Sequence, residues 1–392
     1  MDYLNLLNTH ARAMKPSGIR KYFDLIGMDD VIALGVGQPD FPMPERARII
    51  TQASLDDGHV PYTANAGVLS LREAICDYLE RRFELHYDPK EETLVTVGGS
   101  EAIDLMLRTV LNPGDEVIVP EPTFVCYGPL AELCGGVHVS LPLREEDDFR
   151  LTPEALRRVL TPRTKVLVLP FPTNPTGGVM GREDLEAIGE VLEGTNVLVL
   201  SDEVYAELTY TGHHVSAASI PSLKERTVLV SSTSKPYAMT GLRMGYACGP
   251  APIISAMTRV HQYGIMSAPT TAQIAAEAAL RACDSDIEIM KESYDRRRKL
   301  MLEGFAQMGL PCYEPKGAFY VFPCIRESGL TSEEFCDRLL NEGRVAAVPG
   351  DAFGKSGEGY IRICYAYAEE NLREALRRME IFWKRVTQNN AK

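Results

Sequence analysis

Between residues 93 and 250 the chain alternates short, apolar β-rich runs with amphipathic stretches, and few folds accommodate such an alternation. Thr93–Val97 reads as a strand, Glu101–Leu111 as a helix and Asn112–Asp115, N-P-G-D, as a turn. Further strands are expected at Glu116–Val119, Val137–Leu141, Lys165–Leu169, Val197–Leu200 and Thr227–Val230. Helices are expected near Pro129–Cys134, at Pro153–Leu160 with Thr152 as N-cap, and at Arg182–Leu192. Several of these strands are apolar throughout, as a sheet covered by helices on both faces requires. The pattern indicates a doubly wound, mostly parallel α/β unit, in which ligands bind beyond the carboxyl ends of the strands.

After Ser285 the pattern changes. Helices are expected at Ile287–Met308, Ser332–Glu342 and Glu370–Val386, with strands at Ala318–Phe322, Val345–Val348 and Tyr360–Cys364. This reads as a smaller α+β domain over residues 286–392, joined by an N-terminal arm of residues 1–41, with residues 42–285 as the large domain.

Composition narrows the function. Of 392 residues, 41 are Lys or Arg and 54 are Asp or Glu, a formal charge of −13. That balance speaks against a nucleic-acid or anionic-membrane binder, which needs a positive footprint. Apolar runs are strand-length, far short of a membrane span, and the first ten residues carry no secretory pattern. Nine scattered cysteines, never spaced C-x-x-C, read as reduced thiols of a cytoplasmic protein. Among seven histidines only the neighbours His213 and His214 are close together, so no metal site is expected.

Four strand ends carry chemistry. Ser231–Lys235, S-S-T-S-K, follows the strand Thr227–Val230, with Arg243 eight residues on. A lysine amine attacks carbonyls when burial or a neighbouring cation destabilises its ammonium. Hydroxyls at Ser232 and Ser234 with Arg243 suit a phosphate dianion, although an exposed loop lysine is an equal reading of this stretch alone. Asp202 and Tyr205 lie three residues apart after Val197–Leu200. The carboxylate suits a protonated ring nitrogen and the phenol a ring oxygen, while a helix cap explains Asp202 equally well. Asn174, in T-N-P-T-G-G, sits in a turn that either faces a ligand or is simply a turn. In T-V-G-G-S-E-A (Thr96–Ala102) glycines open a helix whose first N–H groups can close on a phosphate. The loop is neither G-x-G-x-x-G nor a Walker loop. A lysine for imine chemistry, a phosphate cradle, an acid and a phenol are together what pyridoxal 5′-phosphate needs from a protein.

The run S-T-S-K-P-Y-A-M-T-G-L-R-M-G (Ser232–Gly245) resembles the class I pyridoxal-phosphate aminotransferases of fold type I, and the resemblance covers nearly the whole chain. Bacterial and archaeal aspartate and aromatic aminotransferases share similar runs at Ser17–Asp24, Leu34–Phe41, Tyr62–Gly67, Lys316–Tyr320 and Val348–Gly354. The resemblance implies a seven-stranded sheet in the large domain and a homodimer with shared active sites. It implies ping-pong transamination of aspartate or an aromatic amino acid with a 2-oxo acid such as 2-oxoglutarate. By the same resemblance Lys235 carries the cofactor and shuttles a proton, Asp202 holds the ring nitrogen, and Tyr205 and Asn174 bond the ring oxygen. Gly99, Ser100, Glu101, Ser232, Ser234 and Arg243 surround the phosphate, the first three partly through backbone N–H, Phe124 stacks on the ring, and Tyr62 reaches the neighbouring subunit's phosphate. Arg362, with Gly37 and Asn174, takes the substrate α-carboxylate. Arg20 stands as candidate for a side-chain carboxylate or as an exposed charge. Phe124 replaces the tryptophan many relatives stack on the ring. The alternatives are a C–S β-lyase of the same fold and, remotely, a cofactor-binding transcriptional regulator, for which about 40 residues before the large domain leave little room.

Overall fold

The computed structural model describes residues 1, 3–14, 16, 18, 19 and 30–390. Twelve strands form among them: β1 Ile32–Ala33, β2 Thr93–Thr96, β3 Glu116–Glu121, β4 Val137–Pro142, β5 Thr164–Leu169, β6 Leu198–Asp202, β7 Thr227–Ser232, β8 Gly245–Cys248, β9 Tyr320–Val321, β10 Val345–Ala346, β11 Val348–Pro349 and β12 Ile361–Cys364. Seven make one sheet in the order β2-β8-β7-β6-β5-β3-β4. Strand β8 runs antiparallel to both β2 and β7, and the other neighbours pair parallel. The fold is therefore the mostly parallel α/β sheet that the alternation implies, with β8 an addition that the sequence reading did not contain.

The apolar runs split their side chains between two faces, as the two-residue period of a strand dictates. In β5, Val166 and Val168 enter one core while Leu167 and Leu169 enter another, and in β3 Ile118 points opposite to Val117 and Val119. Edge strand β4 is half exposed, in keeping with its Val-His-Val-Ser run. Thr152 caps the helix Pro153–Val159 through a bond from Ala155 N to its hydroxyl. Four helices absent from the sequence reading, Glu45–Asp56, Leu69–Phe83, Ala251–Gly264 and Thr270–Ala282, cover the β2 side.

The expected strand Val345–Val348 is two strands broken at Ala347. Strand β10 pairs parallel with β1, whereas β11 pairs antiparallel with β12, which in turn pairs with β9. Leu34 donates its N–H to Ala346 O and accepts from Cys364 N, so residues 32–36 run between β10 and β12 toward the large sheet. The 25-residue helix Asp284–Met308 anchors the next stretch, because Arg297 grips both oxygens of Asp40 at 2.8 and 2.9 Å. No helix among the described residues is long and apolar enough to cross a membrane.

Sheet polarity places the site. Six strands end on one edge, and chain order reverses between β3 and β5, the kind of switch point where open α/β sheets bind ligands. Antiparallel β8 begins at that same edge, which brings Arg243, just before it, to the loops that end the parallel strands.

Candidate active site

A cavity of about 460 Å³ opens at this edge. Gly37, Gly99, Ser100, Phe124, Asn174, Asp202, Tyr205, Ser232, Ser234, Lys235, Arg243 and Arg362 all line it. Glu101 does not line it, nor does Tyr62, which is expected to serve the neighbouring subunit's site. Arg20 lies outside the described residues. Tyr62 is 81% exposed and lines a separate depression with Val60 and Ile265. The Glu101 side chain turns back along its own helix, accepting from Val97 N and His261 Nδ1, the latter at 2.8 Å. Its carboxylate caps the helix start, which leaves its main-chain N–H, in the first turn of the helix Gly98–Val110, for the phosphate contact expected of it.

Lys235 Nζ donates to Gly37 O at 2.7 Å and lies 5.6 Å from the Phe319 ring centre. Burial, reinforced by Arg362 and Arg243, lowers its pKa from 10.5 to about 8, although Cys364 and Asp202 pull the other way. At pH 7 the neutral fraction thereby rises to about a tenth, far above that of an ordinary lysine, and the neutral amine is the nucleophilic form.

Asp202, at the end of β6, accepts from Tyr127 Oη at 2.6 Å and from Val204 N at 3.2 Å. Burial raises its pKa, and these two bonds work against the rise. Beside it Glu203 is buried but fully bonded, to His214 Nε2 at 2.9 Å and to the hydroxyls of Ser201 and Ser216 at 2.8 and 2.7 Å. Burial alone would raise Glu203, yet His214 and these hydroxyls hold it below the ordinary carboxylate range. Tyr205 Oη lies 2.7 Å from Tyr320 Oη.

Arg362 is 2% exposed, and no carboxylate among the described residues pairs with it. Its guanidinium carbon lies over the rings of Tyr320, at 4.6 Å, and Phe353, at 4.7 Å. Nη1 donates to Asn174 Oδ1 at 2.9 Å, Nη2 donates to Gly35 O, and Nε has no partner. A buried cation with unused donors is costly unless an anion joins it.

The same edge holds a cradle for a second anion. The first-turn N–H groups of the helix Gly98–Val110 have no acceptor within the helix. A Cβ on Gly98 would come within 2.7 Å of Arg243 Nη2, so only glycine lets the guanidinium lie against that turn. Arg243 itself holds a left-handed backbone, φ +55°, at a cost of about 1–2 kcal/mol for a non-glycine residue.

Comparisons with known proteins agree with this geometry. Residues 29–379 match the family aminotransferase class I and II. The chain is 44% identical over 383 residues to an aspartate aminotransferase of Pyrococcus abyssi, covering 97% of each. It is 41% identical over 378 residues to aromatic-amino-acid aminotransferase 2 of Thermococcus litoralis, covering 95% of this chain and 97% of that one. The solved structure of Thermus thermophilus aspartate aminotransferase with maleate superposes with a TM-score of 0.91 at 40% identity, covering 97% and 99% of the two chains. The chain belongs to the class I and II aminotransferases.

The aminotransferase uses pyridoxal 5′-phosphate, and its residues fit that group. A lysine with a depressed pKa, a carboxylate held by Tyr127 and an anion cradle free of carboxylates face one cavity. Neither the β-lyase nor the regulator weighed from the sequence is favoured by these relatives. Tyr127, Tyr320 and the Glu203–His214 pair were not assigned roles from sequence. Tyr320 ends the K-G-A-F-Y run, and Tyr127 comes three residues after Phe124, so their spacing was visible but their partners were not.

Proposed function

We propose that the aminotransferase moves the amino group of L-aspartate or an aromatic L-amino acid to a 2-oxo acid such as 2-oxoglutarate, in two half-reactions. The reading is carried by Arg362, a buried guanidinium without an internal counter-charge in the cavity that holds Lys235. When bound, pyridoxal phosphate supplies the electron-withdrawing ring that makes an amino acid's Cα proton removable.

In this reading the chain supplies everything else. The first-turn N–H groups from Gly99 to Glu101, the hydroxyls of Ser100, Ser232 and Ser234 and the Arg243 guanidinium hold the phosphate. Phe124 covers one face of the ring. Asp202, kept in place by Tyr127, holds a proton on the ring nitrogen, and Tyr205 and Asn174 donate to the ring oxygen. Arg362 takes the α-carboxylate with both arms of its fork, beside Asn174 and Gly37, which orients the Cα–H bond toward Lys235. Lys235 Nζ, neutral once released, would take the Cα proton and deliver it to the cofactor's C4′ carbon. The donor's side chain meets a lining that includes Ile19, Val36 and Gln38.

The working form in this reading is a cytoplasmic homodimer. Val60, Tyr62 and Ile265 are exposed apolar side chains that line the second depression, the kind of patch that marks an interface. There Tyr62 reaches the neighbouring subunit's phosphate. We also read residues 1–41 with 286–392 as the small domain and 42–285 as the large one, supported by the pairing of β1 with β10.

Visible absorbance of the purified holoenzyme tests the proposal. Aspartate or phenylalanine, added separately, should convert the yellow band to the near-ultraviolet band of the aminated cofactor, and 2-oxoglutarate should restore it. Release of pyruvate and ammonia from cystathionine, with no conversion by either amino acid, would replace transamination by the lyase. Asp202→Ala should still bind cofactor through Lys235 and the cradle, yet lose about a hundred-fold or more in kcat. An unchanged kcat in the fully loaded variant would remove Asp202 from its assigned task.

A further inference from the structure

We propose that Tyr320 is a positioning residue that couples the two halves of the site. Its hydroxyl commits the Tyr205 proton to the cofactor's ring oxygen, and its ring face holds the Arg362 fork at the angle that receives a carboxylate. The inference rests on the roles given above to Tyr205 and Arg362.

Register places Tyr320 for both tasks. Cys364 on β12 lies directly across from Tyr320 on β9, so Arg362, two residues earlier, projects from the same face as its diagonal neighbour. The guanidinium carbon sits 4.6 Å from the Tyr320 ring centre, within the range of an attractive cation–ring contact. Phe353 adds a second ring contact at 4.7 Å, so the fork is held by two aromatic rings.

Proton accounting sets the direction of the phenol pair. Each phenol has one proton to give. If Tyr205 spends its proton on the cofactor's ring oxygen, the 2.7 Å contact survives only with Tyr320 as donor and Tyr205 as acceptor. Accepting that bond makes Tyr205 a stronger donor, because consecutive hydrogen bonds polarise one another. No other side-chain acceptor among the described residues competes for the Tyr320 hydroxyl. Gly37 belongs to the same arrangement, since a Cβ there would overlap the Tyr320 hydroxyl while its carbonyl takes the Lys235 ammonium.

A tyrosine that merely filled the core would make neither link. Strong donation from Tyr205 withdraws charge from the ring oxygen, and Lys235 Nζ, joined to the cofactor, then gives up its proton at lower pH. Weakening that donation should let Nζ keep its proton to higher pH.

Holoenzyme carrying Tyr320→Phe and Tyr320→Leu separates the two tasks. Tyr320→Phe should move the midpoint of the visible-absorbance pH titration up by about half to one pH unit. Its Kd values for 3-phenylpropionate and succinate should stay within about two-fold of wild type, because the ring under Arg362 remains. Tyr320→Leu should shift the midpoint similarly and also weaken both carboxylates by about three- to thirty-fold. In a Tyr205→Phe background, Tyr320→Phe should add no further shift.

An unmoved midpoint in Tyr320→Phe, a full extra shift in the Tyr205→Phe background, or unchanged carboxylate binding in Tyr320→Leu would overturn the coupling. Should the leucine variant fail to fold, Tyr320→Met takes its place with the same expectations. Wild-type protein that shows no visible band with added pyridoxal phosphate fails the cofactor reading. A normal wild-type band with an unmoved Tyr320→Phe titration fails this inference alone.

Discussion

Lys235→Met should lower turnover by about four orders of magnitude or more, since one position loses both the nucleophile and the proton carrier. The same change should make the cofactor-free protein more stable at neutral pH. The Lys235 pKa is 10.5 in an ordinary setting and about 8 in the fold. Between those values the unfolded chain holds the proton and the folded chain has released it, so stability rises with pH across that window. Below pH 8 both states are protonated and the folded protein bears the full cost of a buried ammonium, which methionine lacks. Thermal melts of the two apoproteins should therefore differ most at pH 7 and below, with Lys235→Met the higher, and converge as pH climbs from about 8 toward 10.5. A gap independent of pH would mean that Lys235 is not a buried base. Turnover within ten-fold of wild type would remove it from the chemistry.

Arg362→Met should reduce kcat/KM for every donor by about a thousand-fold, because two charge-assisted bonds to the α-carboxylate disappear together. Stability should respond weakly. Methionine strands the Asn174 and Gly35 acceptors, at about 1–3 kcal/mol each if they stay buried. It also removes a cation with no counter-charge, whose burial costs several kcal/mol. The two effects offset, and the apoprotein should melt within a few degrees of wild type. A large fall in melting temperature, with kcat/KM little changed, would make Arg362 a structural residue instead. The contrast between lost catalysis and retained stability is the signature of a side chain kept for its ligand.

The strand ends were legible because the chemistry sits where apolar runs stop. Lys235, Asp202 and Asn174 each follow an uninterrupted Val/Leu run, and the sheet delivers all three to one edge. Glycines before the helix Gly98–Val110 announced the anion cradle in the same way. Side-chain partnerships were not legible, since they depend on register and packing. Tyr127 reaches Asp202 across 75 positions, and Tyr320 reaches Tyr205 across 115. Glu101 divides its parts: the sequence puts its N–H beside the cradle, while Val97 N and His261, which the sequence did not point to, engage its carboxylate. Strand β8 escaped because Gly245–Cys248 is short and follows a loop with no turn signature. The break at Ala347 escaped because Val345–Val348 is evenly apolar, and only its pairing to two different partners divides it.

The polarity of the sheet also fixes when the enzyme can become competent during its own synthesis. Gly37, Asn174, Lys235 and Arg362 come from four distant parts of the chain, and the bond from Arg362 to Gly35 O closes a span of 327 positions. Contacts of such long range form late, after the intervening chain has condensed. A nascent chain leaves the ribosome from its N-terminus, so the lysine emerges well before the arginine that completes the substrate site. The polypeptide thus passes through an interval in which the lysine has been made and its carboxylate receptor has not. During that interval Lys235 is an ordinary exposed lysine at its usual basicity, and it acquires its reactivity only when the last quarter of the chain closes over it.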